Sequence, residues 1–158
     1  IKKSSFDWVL TTDSDGQFHF SNIFKILNFA NANNYNIVSG ARVKKGAYSH
    51  VLGSKFSTLL CNFIHKSNLK DFNSVFKLMY GSIARNLELK TKRMNFSTEL
   101  TSRILENKHK IKEIDILHID RQFGLSSSKI FSTGFSRIFF IFYLFFRITK
   151  KKILKNYK

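Results

Sequence analysis

Acidic residues are what this chain has least of: 10 Asp and Glu stand against 27 Lys and Arg, a formal net charge of +17 over 158 residues. That imbalance calls for an anionic partner, and nucleic acid, a lipid surface and phosphorylated substrates are the three classes that fit. Cysteine is nearly absent too. Cys61 is alone in an apolar helical stretch, which excludes a disulfide within the chain, reads as a buried thiol and suits a reducing compartment. Proline is missing altogether beside 18 Phe, a bias we read as genomic drift that carries no function. The opening IKKSSFDW has neither the apolar run nor the cleavage pattern of a signal peptide, and Ile1 rather than Met suggests a fragment whose start is missing. No internal repeat is visible. His19, His50, His65, His109 and His118 are scattered without metal-ligand spacing, and so read as surface or core residues.

What is present is an alternation of period-two and period-3.6 patterns over a length that suits one domain, which predicts α/β architecture. WVLTT (8–12) reads as a buried strand, and Ser21 as the cap of a helix with Ile23, Phe24, Ile26, Leu27 and Ala30 inward. NIVSG (36–40) is a second strand, delivering Ala41 and Arg42 to a loop rich in Lys and Gly. Both loops follow strand ends, where open α/β sheets place ligands. Val51, Leu52, Phe56, Leu59, Leu60, Phe63 and Ile64 recur at helical spacing between Ser49 and His65. Residues 95–107 read as a further helix and 111–119 as a strand; the Gly, Ser and basic residues of 121–129 suit phosphate.

The last segment has its own character. IFFIFYLFF (138–146) is an apolar run of nine residues between Arg137 and Arg147, followed by TKKKILKNYK. A helix of that length covers roughly 13 Å, against a hydrocarbon core of roughly 30 Å, so it cannot span alone. Extending it back to Ile130 adds Ser132, Thr133, Ser136 and Arg137, a composition costly in hydrocarbon. An interfacial helix, with aromatic residues at the acyl boundary and the Lys tail on anionic head groups, is the expectation; a core helix with a solvated tail is the alternative.

Against so basic a background, the stretch TTDSDGQ (11–17) places Asp13 and Asp15 two apart where a strand ends. Two such carboxylates at a turn with Gly16 can share a hard cation, Mg²⁺ or Mn²⁺, whose remaining ligands a nucleotide diphosphate supplies. A calcium loop is excluded, because counting from Asp13 puts Gln17, Phe18 and Phe24 where Asp or Asn, Gly and Glu are required. A plain Asp-Gly turn is the other reading.

Five blocks in order resemble the family-two glycosyltransferases, and most closely the polyprenyl-phosphate (dolichol-phosphate) mannosyltransferase and glucosyltransferase branch. Asp13-Ser14-Asp15-Gly16-Gln17 resembles that family's D-A-D-x-Q, and Gly40-Ala41-Arg42 its G-S-R. Ser54 stands near the start of a helix, Asp71 to Lys77 (DFNSVFK) resembles D-x-x-S-G-F-[RK], Glu99-Leu100 an E-L element, and Arg121 to Ser126 with Lys129 the closing R-x-x-G-x-S-K. Val75 replaces a Gly, His50 stands where Arg is common, and Ser127-Ser128 lengthen the last block. The family's amino-terminal P-x-Y-N-E and V-D-D-x-S elements are not in this chain, and we expect them upstream of it.

The resemblance implies the carboxy-terminal part of a GT-A (Rossmann-like) catalytic domain over 1–130, followed by an aromatic membrane-associated helix and basic tail over 131–158, at the cytoplasmic face of a membrane. It implies inverting, metal-dependent transfer of a hexose from a GDP- or UDP-sugar to a polyprenyl phosphate. Asp13, Asp15 and Gln17 would serve the metal, with Asp15 and Arg121 central to catalysis, and Arg121 and Lys129 would close on the donor diphosphate. An acceptor phosphate is already ionised near neutrality and needs cations rather than a base. Arg42 and Ser54 are assigned to it, with Lys44, Lys45 and Lys55 as surrounding positive field. A sugar-hydroxyl acceptor, as in surface polysaccharide synthesis, would instead need Asp71 or Glu99 as base. Nucleic-acid binding would explain the charge but leaves Asp13 and Asp15 without a role. A catalytically inactive membrane-bound fragment is the third reading.

Overall fold

Strands covered on both faces need apolar side chains on both, and the short runs here supply them. The computed structural model describes residues 1, 5–43, 48–91, 95–119 and 130–156. Among them the order is β1 (Trp8–Thr11), α1 (Ser21–Ala32), β2 (Ile37–Arg42), α2 (Tyr48–His65), β3 (Lys77–Tyr80), α3 (Gly81–Asn86), α4 (Phe96–Glu106), β4 (Lys112–Ile116) and α5 (Ile130–Asn156). The chain is α/β, with one mixed four-stranded sheet of order β1-β3-β2-β4, compatible with a Rossmann-like domain.

β3 lies antiparallel to both β1 and β2, whereas β4 runs parallel to β2. It follows that β1, β2 and β4 point the same way, and their carboxyl ends share one edge with the amino end of β3. That edge therefore gathers the Asp turn, Arg42, Lys77 and the segment that follows Ile116. Gly40 makes room there for the Ile116 side chain, which a Cβ at this position would overlap.

Alternation sorts the strands' side chains into two cores. Val38, Leu78 and Ile116 join Ile26 and Ala30 of α1 with Phe76 on one face; Ile37 and Met79 join Ala84, Leu87, Leu100 and Ile104 of the α3–α4 side on the other. A third cluster, Cys61, Leu69, Phe72 and Ile141, packs α2 against α5. Cys61 is buried, as expected, and burial pushes its thiol up to about 12.

Several expectations are corrected. Ser21 does not cap α1: Phe20 holds the cap position without a side-chain bond, and Ser21 donates its N–H to His19 Nδ1 at 3.2 Å while its Oγ lies 2.8 Å from the same nitrogen. Phe24 points outward at 68% exposure, and its inward place is taken by Asn22, whose Nδ2 donates to the Leu117 carbonyl at 2.9 Å. Arg42 ends β2 itself and does not sit in the loop beyond it. β3, one of the two inner strands, answers to no expected element. α5 is one helix of 27 residues that runs through both the apolar run and part of the tail. Among the described residues no helix is long and apolar enough to cross a membrane.

Candidate functional site at the carboxyl edge of the sheet

β1 ends at Thr11, whose buried hydroxyl donates to the Val75 carbonyl at 2.6 Å and so pins the start of the Asp turn to the segment before β3. Asp13 is exposed and Asp15 half-buried. Asp15 Oδ1 accepts the Gln17 N–H at 3.2 Å, closing a turn around Gly16, whose φ of 75° is the left-handed conformation that glycine tolerates without strain. Gln17 is tied to the segment leaving β4: its Nε2 donates to the Ile119 carbonyl at 3.2 Å, and its carbonyl accepts the Ile119 N–H at 3.0 Å. With the Phe18–His118 bridge, this holds the segment leaving β4 beside the Asp turn. Gln17 thus positions the approach to residues 121–129. Arg121 and Lys129 themselves lie outside the described residues, as do Lys44 and Lys45.

Next along the edge, Arg42 and Asp71 form a two-pronged pair. Arg42 Nε donates to Asp71 Oδ2 at 2.6 Å and Nη2 to Oδ1 at 3.0 Å. Asp71 is buried, and Arg42 keeps 21% of its side chain exposed. Burial disfavours the Arg42 charge, but the hydrogen bonds and charge of Asp71, with Asp13 adding to them, hold its guanidinium above the ordinary arginine value. Asp13 is therefore close enough to act on Arg42, and the ends of β1 and β2 share one field. The Asp71 loop is itself positioned by β4: Glu113 accepts the Lys70 N–H at 2.6 Å and the Asp71 N–H at 3.0 Å.

Beneath this pair lies Lys77, fully buried, with its Nζ donating to the Ser74 carbonyl. Burial lowers its pKa to about 8 in spite of Asp71 and Glu113, and Arg42 adds to the lowering. The family-like block from Asp71 to Lys77 thus folds as a loop whose two charged ends meet around Arg42. The resemblance covered Lys77, but nothing in the local pattern marked it as a buried cation.

Ser54 is half-buried on α2, and its Oγ has no hydrogen-bond partner among the described residues. It shares a helix face with Ser57, Thr58 and Cys61. Ser57 Oγ accepts from Asn73 Nδ2 at 3.0 Å, so this face abuts the 71–74 loop. Lys55, one residue on, is exposed.

Glu99 stands apart. Its carboxylate is buried and accepts the Lys90 and Thr91 N–H groups at 2.9 and 2.7 Å and the Thr91 hydroxyl at 2.5 Å. Arg103 and Arg147 add ion pairs at 3.2 and 3.6 Å. Burial would raise its pKa, but the Thr91 and Lys90 donors and Arg103 hold it below the usual carboxylate range. A carboxylate so occupied orders residues 90–91 and fastens α4 to α5, where Arg147 also bonds Glu106.

One site residue came from an unexpected quarter. Arg137 of α5, read above only as an obstacle to insertion, lies within electrostatic reach of Arg42, Cys61 and Asp71; burial and then Arg42 lower its pKa. Its signal could not be local, because α5 reaches the edge only by packing on α2.

Among the described residues no three His, Cys, Asp or Glu side chains converge on a point. Asp13 and Asp15 supply hard oxygen donors that suit Mg²⁺ or Mn²⁺, provided that phosphate or water completes the shell. The edge therefore sets the Arg42 guanidinium and the carboxylates of the Asp turn in one shared field. No protein-family model matches the chain.

Proposed function

We propose that the chain is the carboxy-terminal part of a GT-A-type glycosyltransferase domain that moves a hexose from a nucleotide sugar to a polyprenyl phosphate at a membrane surface. The observation that carries this reading is the shared edge: Asp13, Arg42 with Asp71, Lys77 and the strand leading toward Arg121 meet there, beside two helices with outward aromatic faces. On α2, Leu52, Phe56, Leu59 and Phe63 are 50 to 79% exposed; on α5, Phe135, Phe139, Phe142 and Phe146 are 58 to 71% exposed. Each set follows a 4-3-4 spacing, one stripe along its helix. Patches of this kind mark an apolar partner, and the basic tail beyond them complements anionic head groups.

A divalent ion held by Asp13 and Asp15 would supply positive charge to the departing diphosphate. Arg42, kept charged by Asp71, holds an anionic acceptor oxygen at the same edge. Lys77 and Glu113 hold the Asp71 loop in place beneath it. A phosphate acceptor needs no base, which agrees with both candidate bases being committed: Asp71 to Arg42, and Glu99 to Thr91 and the arginines of α4 and α5. That engagement disfavours a sugar-hydroxyl acceptor.

The test is transfer of labelled hexose from GDP- or UDP-hexose to polyprenyl phosphate in anionic vesicles with Mn²⁺. Asp15→Asn is expected to reduce the rate by roughly a hundredfold, the scale of losing one electrostatic contact to developing charge. Transfer that is indifferent to both Mn²⁺ and Asp15→Asn would overturn the proposal.

A further inference from the structure

Helix α5 shows opposite characters on its two sides. Phe140, Ile141 and Leu144 are buried, while Phe135, Phe139, Phe142 and Phe146 face outward. Arg137 belongs with the buried side, half-buried near Arg42, and its Nε is enclosed without a hydrogen-bond acceptor among the described residues. Asp71 accepts from Arg42 through both oxygens, at 2.6 and 3.0 Å, and acts on Arg137 as well. Two guanidinium groups therefore share one carboxylate. On α2, Ser54 Oγ and Thr58 Oγ1, one turn apart, are likewise enclosed without partners among the described residues. Enclosed donors that lack acceptors are costly unless an acceptor arrives. A phosphate monoester, with its several oxygens, is the group that guanidinium forks match best.

We propose that Arg137 joins Arg42 in holding the phosphate of a lipid phosphomonoester, whose apolar chain lies on the outward aromatic face of α2 and α5. The phosphate would be that of the acceptor, so its role as substrate rests on the transferase reading, but its binding does not. The arrangement makes α5 a two-sided element: its outer stripe meets the bilayer and its inner Arg meets the head group, about one helical turn apart.

The experiment is co-sedimentation of the full chain with phosphatidylcholine vesicles containing either phosphatidic acid or phosphatidylserine at matched surface charge. The wild-type chain prefers phosphatidic acid. Arg137→Gln weakens that binding by about tenfold, the scale of one charge-assisted contact, and leaves phosphatidylserine binding as it was. Lys150→Gln, on the exposed part of the same helix, weakens both alike. Arg137→Lys, which keeps the charge and loses the fork, recovers part of the preference, and it decides the matter if Arg137→Gln does not fold. Excess inorganic phosphate leaves the preference standing when a lipid is the ligand; its abolition by free phosphate would assign the site to a soluble anion and overturn the proposal. So would a wild-type chain without the preference, or Arg137 variants that keep it whole. A wild-type chain that prefers phosphatidic acid, loses that preference through Arg137→Gln and transfers no sugar sinks the transferase reading alone. Unaltered sugar transfer by an Arg137→Gln chain that also keeps the phosphatidic acid preference sinks this inference alone.

Discussion

At the scale of single residues, Lys77 is the side chain furthest from its ordinary surroundings. Its pKa falls from the usual lysine value to about 8 because no water reaches it. Between about pH 8 and about 10.4 the unfolded chain holds a proton that the folded chain has lost, so stability rises with pH across that window, by roughly 3 kcal/mol in all. Below pH 8 both states are protonated and the burial cost is borne in full. Lys77→Met should therefore raise stability at about pH 7 by about 2 kcal/mol, after the loss of the bond to the Ser74 carbonyl, and abolish the rise. Urea denaturation at about pH 7 and about pH 10 measures both effects; a rise in the variant equal to that of the wild type would assign it to the net charge instead. The cost is tolerable because Lys77 sits under the Arg42–Asp71 pair, where its ammonium strengthens the field that holds Asp71. Sequence alone gave no hint of this, since a Lys at a strand start is ordinarily a solvated residue.

At the scale of elements, α2 and α5 carry more apolar surface than one core contact requires. α2 buries Cys61 and half-buries Leu60 and Ile64 on α5 and the 69–72 loop, yet leaves a second stripe outside. A helix apolar on most sides has no pattern that says which side faces in, and only packing decided it. Because Leu59 and Phe63 are 66 and 79% exposed, changing both to Ser should leave folding stability within about 0.5 kcal/mol. The same pair should lower partitioning onto anionic vesicles by about a hundredfold or more, since each apolar side chain removed from water is worth about 1.5–3 kcal/mol when fully buried. Undiminished sedimentation with vesicles would exclude α2 from the membrane face. The α4–α5 junction follows the opposite logic: Glu99, Glu106, Arg103 and Arg147 pair among themselves, and a carboxylate with that many donors serves architecture rather than proton transfer.

For the whole molecule, the net charge of +17 acts together with where the apolar surface lies. Charge attracts any polyanion and is screened by salt, with a Debye length of about 10 Å at 0.1 M and about 3 Å at 1 M. Aromatic insertion is not screened. Raising salt to about 1 M should release the chain from DNA entirely while a fraction stays on anionic vesicles. Sedimentation and filter retention read the two, and parallel loss from both would leave nucleic acid as the better partner. The sheet order adds a global constraint of its own. Because β3 enters antiparallel between β1 and β2, the segment at 71–77 is brought from far along the chain to lie between the Asp turn and Arg42.

Most elements were legible because their signals are local. WVLT, the helix at 96–106 and the strand at 112–116 each declare themselves by alternation or helical spacing within a dozen residues. That the Asp turn and Arg42 stand at strand ends was legible as well. What no window of sequence holds is which distant groups meet. The strand KLMY opens with a charge and does not alternate, so only its partners on both sides make it a strand. The pairing of Arg42 with Asp71, the burial of Lys77, the outward turn of the α2 stripe and the arrival of Arg137 are long-range contacts. They are decided by how much apolar surface can be hidden at once and how few charges can be left unpaired, and both are properties of the assembled molecule.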